Sequence, residues 1–426
     1  MRILSLSTTD RGGGAEQVAW DLFTGLEERG HESWLVVGEK HTTHPRVVEI
    51  HASPHFDYRP FSDPDVQATW ASQRHHRRLR GGEDFIHPYS RRLTELLPQP
   101  PDAVIAHNLH GGYFDLRSLP ALTAQLPTIA VLHDYWMLTG HCAYPFDCER
   151  WKHGCGECPD LTIPPAIDFD GTRRNLRLKR AIYERSEITV CSPSERLLAD
   201  VGASALLAGT NRTRCIPNGT DLELFRPGDP EEARRKLGLP QNIPIVLMIG
   251  KNIETNRFKD FECAMKCMRL FAEANRNAVF VALGGEEPLS KLEIGPVTLM
   301  SFPYTANRRR VADFFRSADV LLHATRQEVA PLVLGEALAS GLPAVASRAG
   351  NAEQLLGQGG ITVKPGDGSA HATALAQLLD DAELRHKMGV QARGRSEETG
   401  GRDAMITAYE NLLSGMIKNS ETNARI

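Results

Sequence analysis

The stretch Glu328-Val-Ala-Pro-Leu-Val-Leu-Gly-Glu336 carries two carboxylates eight positions apart around a proline. The preceding residues 319–324 form an apolar run that predicts a buried strand. Pro331 favours the first turn of a helix, because its missing N–H would have no partner there. We therefore expect Glu328 in a strand-to-helix loop and Glu336 on the second turn of the helix. Both would lie at the carboxyl end of a parallel sheet, where open α/β sheets bind ligands.

The chemistry of this segment favours a ligand with a diphosphate between two groups that carry hydroxyls. The backbone N–H groups of Ala330, Leu332 and Val333, at the positive end of the helix, can receive an anion. Carboxylates repel phosphate but accept hydrogen bonds from hydroxyls, so Glu328 and Glu336 fit the two sides of a sugar nucleotide. A random pair of glutamates at this spacing is more often a solvated helix face. Here the preceding strand and the proline favour the binding role.

The bulk properties of the chain indicate a globular protein of two or three domains. Its 426 residues are enough for at least two hydrophobic cores. The 49 basic and 53 acidic residues nearly balance, so no nucleic-acid partner is expected. No apolar run reaches the roughly 18 residues of a transmembrane helix, and residues 1–7 read as a strand and not as a signal peptide. We expect a cytoplasmic location, in which the eight cysteines are reduced thiols or metal ligands.

Several segments resemble motifs of the retaining, glycogen-synthase-like (group 1) glycosyltransferases. The Glu-x7-Glu pattern of residues 328–336 resembles a signature of that family. Residues 12–16 (Gly-Gly-Gly-Ala-Glu) resemble its N-terminal Gly-Gly-x-Glu loop, and residues 217–221 (Pro-Asn-Gly-Thr-Asp) resemble its interdomain hinge. Residues 107–111 (His-Asn-Leu-His-Gly) and 133–136 (His-Asp-Tyr-Trp) resemble a polysaccharide-assembly branch, the colanic-acid type.

This resemblance implies the GT-B fold, an α/β architecture of two Rossmann-like, doubly wound domains that face a cleft. The implied first domain, residues 1–218, is an acceptor-side domain with a cysteine-rich insertion at about 139–160. The implied second domain, residues 219–398, binds the nucleotide sugar. Residues 399–426 are expected to form a helix that returns to the first domain, followed by a disordered tail after Asn419.

By the same resemblance, Glu328 contacts the donor sugar and Glu336 contacts the ribose hydroxyls. Lys259 would neutralise the diphosphate, and the source of a second cation, Arg257 or Lys251, stays open. The two residues after the first glutamate are valine and alanine, where many family members carry a glycine and an aromatic residue, so we expect an unusual sugar pocket. The implied donor-binding residues are Gly13, Gly14, Arg257, Lys259, Gly285, Tyr304, Glu328, Ala330, Leu332, Val333 and Glu336.

Polar residues that follow two apolar runs form the expected acceptor side. Residues 102–106 and 128–132 read as strands, and each ends in a cluster that contains histidine. Polar residues at the ends of neighbouring parallel strands lie where ligands bind. The resemblance implies three catalytic residues, which are His133, Glu328 and Lys259. It places on the acceptor side Glu16, Asn108, His110 and Asp134.

Four cysteines lie within seventeen residues, at Cys142, Cys148, Cys155 and Cys158. The C-x2-C spacing of the last two is typical of a zinc knuckle, and we favour a structural zinc site. Disulfide or redox pairing and unliganded thiols stay open as alternatives. Four cysteine ligands would leave no position for a reactive water, so such a metal would fold the loop and would not catalyse. The family resemblance implies no catalytic metal.

Two basic clusters allow two interpretations. The first is residues 74–80 (Arg-His-His-Arg-Arg-Leu-Arg), and the second comprises Arg173, Arg174, Arg177, Lys179 and Arg180. Each is either a solvated helix face or a surface that contacts an anionic acceptor or the headgroups of a membrane. The second interpretation implies a peripheral location at the inner face of a membrane.

The implied activity is the retaining transfer of a sugar from a UDP- or GDP-sugar to a glycan, a lipid-linked or a small-molecule acceptor in cell-surface polysaccharide biosynthesis. Two alternatives belong to other classes of protein. A sugar-nucleotide epimerase with the GT-B fold would convert the donor with no acceptor present. A non-catalytic nucleotide-sugar-binding protein would bind without turnover. The acceptor-side clusters have no role in either alternative, which favours the transferase.

Overall fold

The computed structural model describes residues 1–286, 289–399 and 401–424, and the chain divides into two compact units. The first unit comprises Met1–Pro217 and Ile406–Ile426, and the second comprises Asn218–Met405. The second unit therefore begins one residue before the predicted start at residue 219. It ends seven residues beyond the predicted end at residue 398.

The first unit contains a seven-stranded sheet whose strands are β1 (Arg2–Thr9), β2 (Glu32–Glu39), β3 (Val47–Glu49), β4 (Ala103–Ala106), β5 (Thr128–Val131), β6 (Ile188–Ser192) and β7 (Thr213–Cys215). All neighbouring strands are parallel, in the order β3-β2-β1-β4-β5-β6-β7. The helices up to residue 217 are α1 (Gly14–Glu28), α2 (Pro64–Arg78), α3 (Leu119–Gln125), α4 (Thr172–Tyr183) and α5 (Glu195–Ala203). The order reverses between β1 and β4, which is where doubly wound sheets bind ligands.

The second unit contains the strands β8 (Ile245–Ile249), β9 (Ala278–Gly285), β10 (Ser290–Ile294), β11 (Val297–Pro303), β12 (Val320–His323), β13 (Ala344–Ser347) and β14 (Gly360–Val363). Their order is β10-β11-β9-β8-β12-β13-β14, and only β10 is antiparallel to its neighbour among these described strands. The helices are α6 (Pro230–Leu237), α7 (Phe261–Glu273), α8 (Arg308–Ser317), α9 (Leu332–Ala339), α10 (Ala352–Leu356), α11 (Gly368–Asp380) and α12 (Ala382–Glu398). Here the order reverses between β8 and β12.

Short 3₁₀ segments connect some of these elements. They are Arg59–Phe61, Pro88–Leu96, Leu116–Ser118, Trp136–Leu138, Arg150–Lys152 and Gly357–Gly359. The last helix of the chain, α13, spans Gly401–Ala424. Among the helices that the structure describes, none has both the length and the apolar character that a membrane span requires.

Apolar residues on both faces of the sheets form the cores, and the predicted α/β fold class is confirmed. In the second unit, Leu247 and Val281 belong to one buried cluster, while their neighbours along the strands, Val246 and Phe280, belong to another. Successive side chains of a strand point to opposite faces, so each face of this sheet packs against its own layer of helices.

Helix α13 packs on the first unit from residue 406 onward. Glu410 accepts a hydrogen bond from Arg29 Nη1 at 2.8 Å, and its other oxygen lies 2.8 Å from His31 Nε2. Tyr409 is buried on the same helix. We predicted a disordered tail after Asn419, but the helix continues as far as residue 424. This stretch contains no glycine or proline that would end a helix. Residues 425 and 426 lie outside the described residues.

Candidate functional site

In the second unit, the predicted residues Lys259 and Glu328 lie in contact. Lys259 lies between β8 and α7, and Glu328 lies between β12 and α9; β8 and β12 are neighbours in the sheet. Lys259 Nζ donates a hydrogen bond to Glu328 Oε1, and both side chains are largely buried. A backbone bridge between Lys259 and Thr325 joins the two loops. The fold thus brings together two residues that belong to separate sequence motifs.

His323 is a residue of this site that the sequence reasoning missed. It ends β12 and is buried, with Nε2 at 4.0 Å from Glu328 Oε1. Burial lowers the pKa of His323 well below its ordinary value, and the Lys259 ammonium lowers it further, so the ring is neutral at pH 7. Its Nε2 has no hydrogen-bond partner in the described part of the chain. A histidine at the end of an apolar run was the available signal, since ligands bind at strand ends.

Helix α9 leaves its first N–H groups without a side-chain cap. The helix begins at Leu332, and Pro331 occupies the N-cap position, one residue earlier than predicted. Proline has no side-chain acceptor, so the N–H groups of Leu332 and Val333 are not capped from that position. Such groups, at the positive end of the helix dipole, are suited to bind an anion. Glu336 lies on the second turn, as predicted.

Two close contacts hold the loop between Glu328 and α9. Asn218 Nδ2 donates a hydrogen bond to the carbonyl oxygen of Ala330 at 3.2 Å. Gly350 has a φ of +57°, and a Cβ atom at this position would lie 2.6 Å from the carbonyl oxygen of Glu328. Only glycine tolerates both the positive φ and the close approach. Asn218, which belongs to the predicted hinge motif, therefore helps to position the Glu328 loop.

Glu336 is buried and forms an ion pair with Arg308, which the sequence reasoning missed. Arg308 Nη1 donates to Glu336 Oε1 at 2.7 Å, and the guanidinium carbon lies 4.7 Å from the centre of the Phe225 ring. Arg308 begins α8 and is followed by Arg309 and Arg310. Three arginines in a first turn oppose the helix dipole, which was a sequence signal for a nearby anionic partner.

The remaining predicted donor-side residues lie on other loops of the second unit. Gly285 ends β9, and its carbonyl oxygen accepts a hydrogen bond from the N–H of Tyr304 at 3.0 Å, so the chain segments after β9 and β11 are joined. The Tyr304 side chain is exposed. Arg257 and Lys251 are exposed on the segment between β8 and α7. Their roles in donor binding stay predictions.

In the first unit, His133 lies against a second histidine, His107. His107 Nδ1 lies 2.9 Å from His133 Nε2, and the two rings stack with centroids 5.2 Å apart. Burial lowers the pKa of His133 to about 4, although the carboxylate of Asp134 opposes this shift. Burial and the neighbouring His133 hold the pKa of His107 well below its ordinary value. Both rings are therefore neutral at pH 7, and a single proton lies between the facing nitrogens.

His110 and Asp134, two predicted acceptor-side residues, form an ion pair. His110 Nε2 lies 2.7 Å from Asp134 Oδ2, and the N–H of Trp136 donates to Oδ1 at 2.8 Å. Burial alone would lower the pKa of His110, but the charge and hydrogen bond of Asp134 outweigh it and the pKa is raised. The same contacts outweigh burial at Asp134 and lower the pKa of its carboxyl. His110 therefore stays protonated to higher pH than a free histidine.

The other predicted residues of this unit have structural partners. The backbone carbonyl of Asn108 accepts a hydrogen bond from the buried Tyr113 hydroxyl at 3.1 Å. Glu16 Oε2 accepts the N–H of Gly13 at 2.9 Å and so stabilises the start of α1, whose first residue is Gly14. These contacts give Glu16 and Gly13 a structural role at the end of β1. Their contacts with a donor or an acceptor stay predictions.

A buried ion pair supports the loop that carries His133 and Asp134. Lys179 is 0% exposed, and its Nζ lies 2.9 Å from Glu83 Oε1. Glu83 Oε2 accepts the indole N–H of Trp136, and Lys179 Nζ lies 3.7 Å from the centre of the Trp136 ring. Burial lowers the pKa of Lys179, and the Glu83 carboxylate opposes this shift. The grouping of Lys179 with a surface basic cluster was therefore wrong, because its side chain lies on the buried face of α4.

The structure does not support the zinc site predicted in the first unit. The predicted ligands were Cys142, Cys148, Cys155 and Cys158. Within the described ranges, no group of three or more His, Cys, Asp or Glu side chains is arranged to hold a metal ion. All four thiols are free, so disulfide pairing is not observed either. The loop is held by the buried Trp151 and by a 2.9 Å hydrogen bond from the Gly156 N–H to Thr172 Oγ1. The C-x2-C spacing of Cys155 and Cys158 therefore finds no support as a zinc signal among the described residues.

We predict that His133→Gln makes the fold less sensitive to acid. In the wild type, unfolded His133 binds a proton below about pH 6.5, whereas the folded group does so only near pH 4. Stability must therefore fall as the pH drops through this window, by at most about 3 kcal/mol from this residue. Urea unfolding at pH 7 and pH 4.5 measures the difference. The exposed His153→Gln is the control, and equal acid sensitivity of the two variants would contradict the expectation.

Lys179→Met should destabilise the first unit by about 3–5 kcal/mol, because it leaves the Glu83 carboxylate buried without its partner. Adding Glu83→Leu should recover part of this loss. The matched control is Lys152→Met, which breaks the surface pair of Lys152 with Glu149 and should cost much less, because water screens an exposed pair. Urea unfolding compares the three variants. A loss at Lys179 as small as that at Lys152 would refute the supporting role of the pair.

Two family models match the chain. The model described as Glycosyltransferase Family 4 matches residues 12–224, which is 213 of the 426 residues. The model described as Glycosyl transferases group 1 matches residues 229–395. The two matches follow one another along the chain, and the boundary between them lies near the start of the second unit.

Relatives and solved structures agree with these models. A protein of Escherichia coli (strain K12), provisionally named colanic acid biosynthesis glycosyl transferase WcaC, is 28% identical over 273 residues, which cover 60% of this chain and 62% of the relative. The chain thus matches less than two thirds of that relative's length. Sucrose-phosphate synthase from Thermosynechococcus elongatus superposes with a TM-score of 0.66 at 18% identity, covering 98% of this chain and 100% of that one. Anabaena HepE in complex with UDP-glucose superposes with a TM-score of 0.63 at 17% identity, covering 97% of this chain and 100% of that one.

The structural likenesses show the fold, which is GT-B as the sequence predicts. The order of the two family models is the order of the two α/β units along the chain. The chain belongs to glycosyltransferase family 4 and carries a group 1 glycosyltransferase domain in its second unit.

Proposed function

We propose that the protein is a retaining glycosyltransferase of the cytoplasm that moves a hexosyl group from a UDP- or GDP-sugar to a glycan, a lipid-linked or a small-molecule acceptor. The observation that carries the proposal is the uncapped start of α9 between two carboxylates, each paired with a cation. Family membership and the relative named for colanic acid biosynthesis support a role in cell-surface polysaccharide biosynthesis. The UDP-glucose complex of Anabaena HepE supports a nucleotide-sugar donor.

In this proposal, the second unit binds the diphosphate at the start of α9. Lys259 neutralises part of its charge, and the N–H groups of Leu332 and Val333 donate hydrogen bonds to it. Glu336 accepts from the ribose hydroxyls, and Glu328 accepts from a hydroxyl of the transferred sugar. The cation beside each carboxylate offsets the repulsion between that carboxylate and the diphosphate.

The first unit supplies the groups for the reacting sugar and the acceptor. The neutral ring of His133 forms a hydrogen bond to the donor sugar, and His107 fixes the orientation of that ring. Asn108, the His110–Asp134 pair and Glu16 bind the acceptor. A neutral histidine neither repels the developing positive charge of the sugar nor needs to lose a proton before it can accept a hydrogen bond.

The proposed reaction needs no protein nucleophile and no catalytic metal. The acceptor oxygen forms a bond to the anomeric carbon on the face that the diphosphate leaves. The bond between that carbon and the diphosphate oxygen breaks, and the hydroxyl proton passes to the departing diphosphate. Configuration at the anomeric carbon is thereby retained. Lys259 and the helix N–H groups stabilise the charge that develops on the leaving group.

We predict that one nucleoside diphosphate stabilises the fold and that Glu336→Ala weakens this effect. Thermal shifts with UDP, GDP and ADP, and with their sugar conjugates, measure it. Ligand at about a hundred times its dissociation constant should stabilise the wild type by about 2.7 kcal/mol. Loss of a carboxylate that accepts hydrogen bonds should weaken binding at least about tenfold, which leaves a stabilisation of at most about 1.4 kcal/mol at the same concentration.

The control for this measurement is Glu273→Ala, which removes an exposed glutamate at the end of α7. Each nucleotide should raise the melting temperature of this variant as much as that of the wild type. Lys259→Met should also weaken binding, and more for the diphosphates than for the corresponding monophosphates, because the lysine is assigned to the diphosphate. Absence of a shift with every nucleotide would refute the transferase proposal.

We expect no covalent sugar on the protein during turnover. Asp134 is the carboxylate that would act as a nucleophile in a two-step reaction. Mass spectrometry of the intact protein, mixed with donor and no acceptor, tests this. The mass should stay that of the polypeptide, and the donor sugar should keep its configuration. An added hexosyl mass that disappears in Asp134→Asn would show a two-step reaction, and conversion of the donor would show an epimerase.

A further inference from the structure

The first unit carries an exposed basic surface formed by two separate segments of the chain. We call it the basic ridge, and its exposed arginines are Arg74, Arg78, Arg80, Arg173, Arg174 and Arg177. The first three lie on the last two turns of α2 and just after it, and the others lie on the first two turns of α4. The segments are in contact, because Arg174 donates to the carbonyl of Arg80 and Asn175 Nδ2 donates to that of Gly81 at 3.0 Å.

Two large apolar side chains are exposed within the ridge. Leu79 is 54% exposed and Phe169 is 52% exposed. Their segments touch, since a Cβ atom on Gly81 would lie 1.9 Å from the carbonyl oxygen of Phe169. Single exposed apolar residues are common on protein surfaces. Two of them on adjoining segments, among six arginines, match the composition of a site that rests on a membrane interface.

Among the described residues, acidic side chains neutralise the ridge only in part. Asp168 pairs with Arg78, and Asp170 is engaged by hydrogen bonds from the N–H and hydroxyl of Thr172 at 3.0 and 2.6 Å. Helix α4 contains no aspartate or glutamate. The chain as a whole has a formal net charge of −4, so the ridge is a local concentration of positive charge on an acidic protein.

We propose that the basic ridge docks the protein on a membrane surface rich in anionic phospholipids. Guanidinium groups contact lipid phosphates in the bidentate geometry that arginine favours. Leu79 and Phe169 enter the boundary between the headgroups and the acyl chains. An acidic polysaccharide would match the charge of the ridge but would leave the two apolar side chains in water. This docking does not depend on the proposed reaction.

Vesicle flotation of the full chain tests the proposal. The wild type should bind vesicles of mixed phosphatidylcholine and phosphatidylglycerol at least about tenfold more tightly than vesicles of phosphatidylcholine alone. Arg74→Glu combined with Arg177→Glu should remove this preference. Leu79→Ser combined with Phe169→Ser should leave weaker binding that moderate salt abolishes, because only the screened electrostatic part remains.

Matched changes elsewhere serve as controls. Arg235→Glu combined with Lys236→Glu on α6 changes the net charge by the same amount, and Val390→Ser removes another exposed apolar side chain. Both controls should bind vesicles like the wild type. Thermal unfolding and nucleotide shifts should be unchanged in all these variants, which separates this test from that of the reaction. Equal binding to both vesicle types, or equal losses in ridge and control variants, would overturn the proposal. So would unchanged vesicle binding in the variant that lacks both apolar side chains.

Discussion

Parallel pairing of the strands is the constraint on which the rest of the molecule depends. All neighbouring strands described here are parallel except β10 and β11. The connection between two parallel strands must return the chain to the end of the sheet where the first strand began. The loops that follow successive strands therefore all lie at the other end, the carboxyl edge of the sheet. In the first unit that edge collects the loops after β1, β4 and β5, and in the second unit those after β8 and β12. Asp134, Lys259 and Glu328 lie on these loops, and the apolar strands fix where the loops begin.

The ionisable side chains that are buried at these edges are either paired with an opposite charge or neutral. The His107–His133 pair is neutral, since burial lowers the pKa of both rings. Lys179 is paired with Glu83, because a single buried charge would cost several kcal/mol. The ion pair also holds the Trp136 indole and backbone. The loop that carries His133 and Asp134 is therefore held from below by the Lys179–Glu83 pair, which explains why the helix carrying Lys179 has a buried polar face.

The sequence predicts the elements whose signals are local and misses those set by packing. Strands buried on both faces are continuous apolar runs, so β4, β5 and β12 were identified within one residue. Strand β10 was missed because most of its side chains are exposed and its buried and exposed residues do not alternate. Arg308 and His323 were missed because their roles arise only when loops from different strands meet. The zinc site is likewise not supported, because spacing along the chain does not fix the ligand geometry that a metal ion needs.

In the proposed complex, the charge balance of the second unit couples the binding of the diphosphate to the binding of the sugar. In the structure, Glu328 is paired with Lys259 and Glu336 with Arg308, so these four side chains sum to zero net charge. A diphosphate adds negative charge that the start of α9 offsets by only about half a unit. Lys259 must then exchange part of its contact with Glu328 for the phosphate oxygens. That exchange leaves a Glu328 oxygen free to accept a hydroxyl of the sugar, so the phosphate and the sugar each favour the binding of the other.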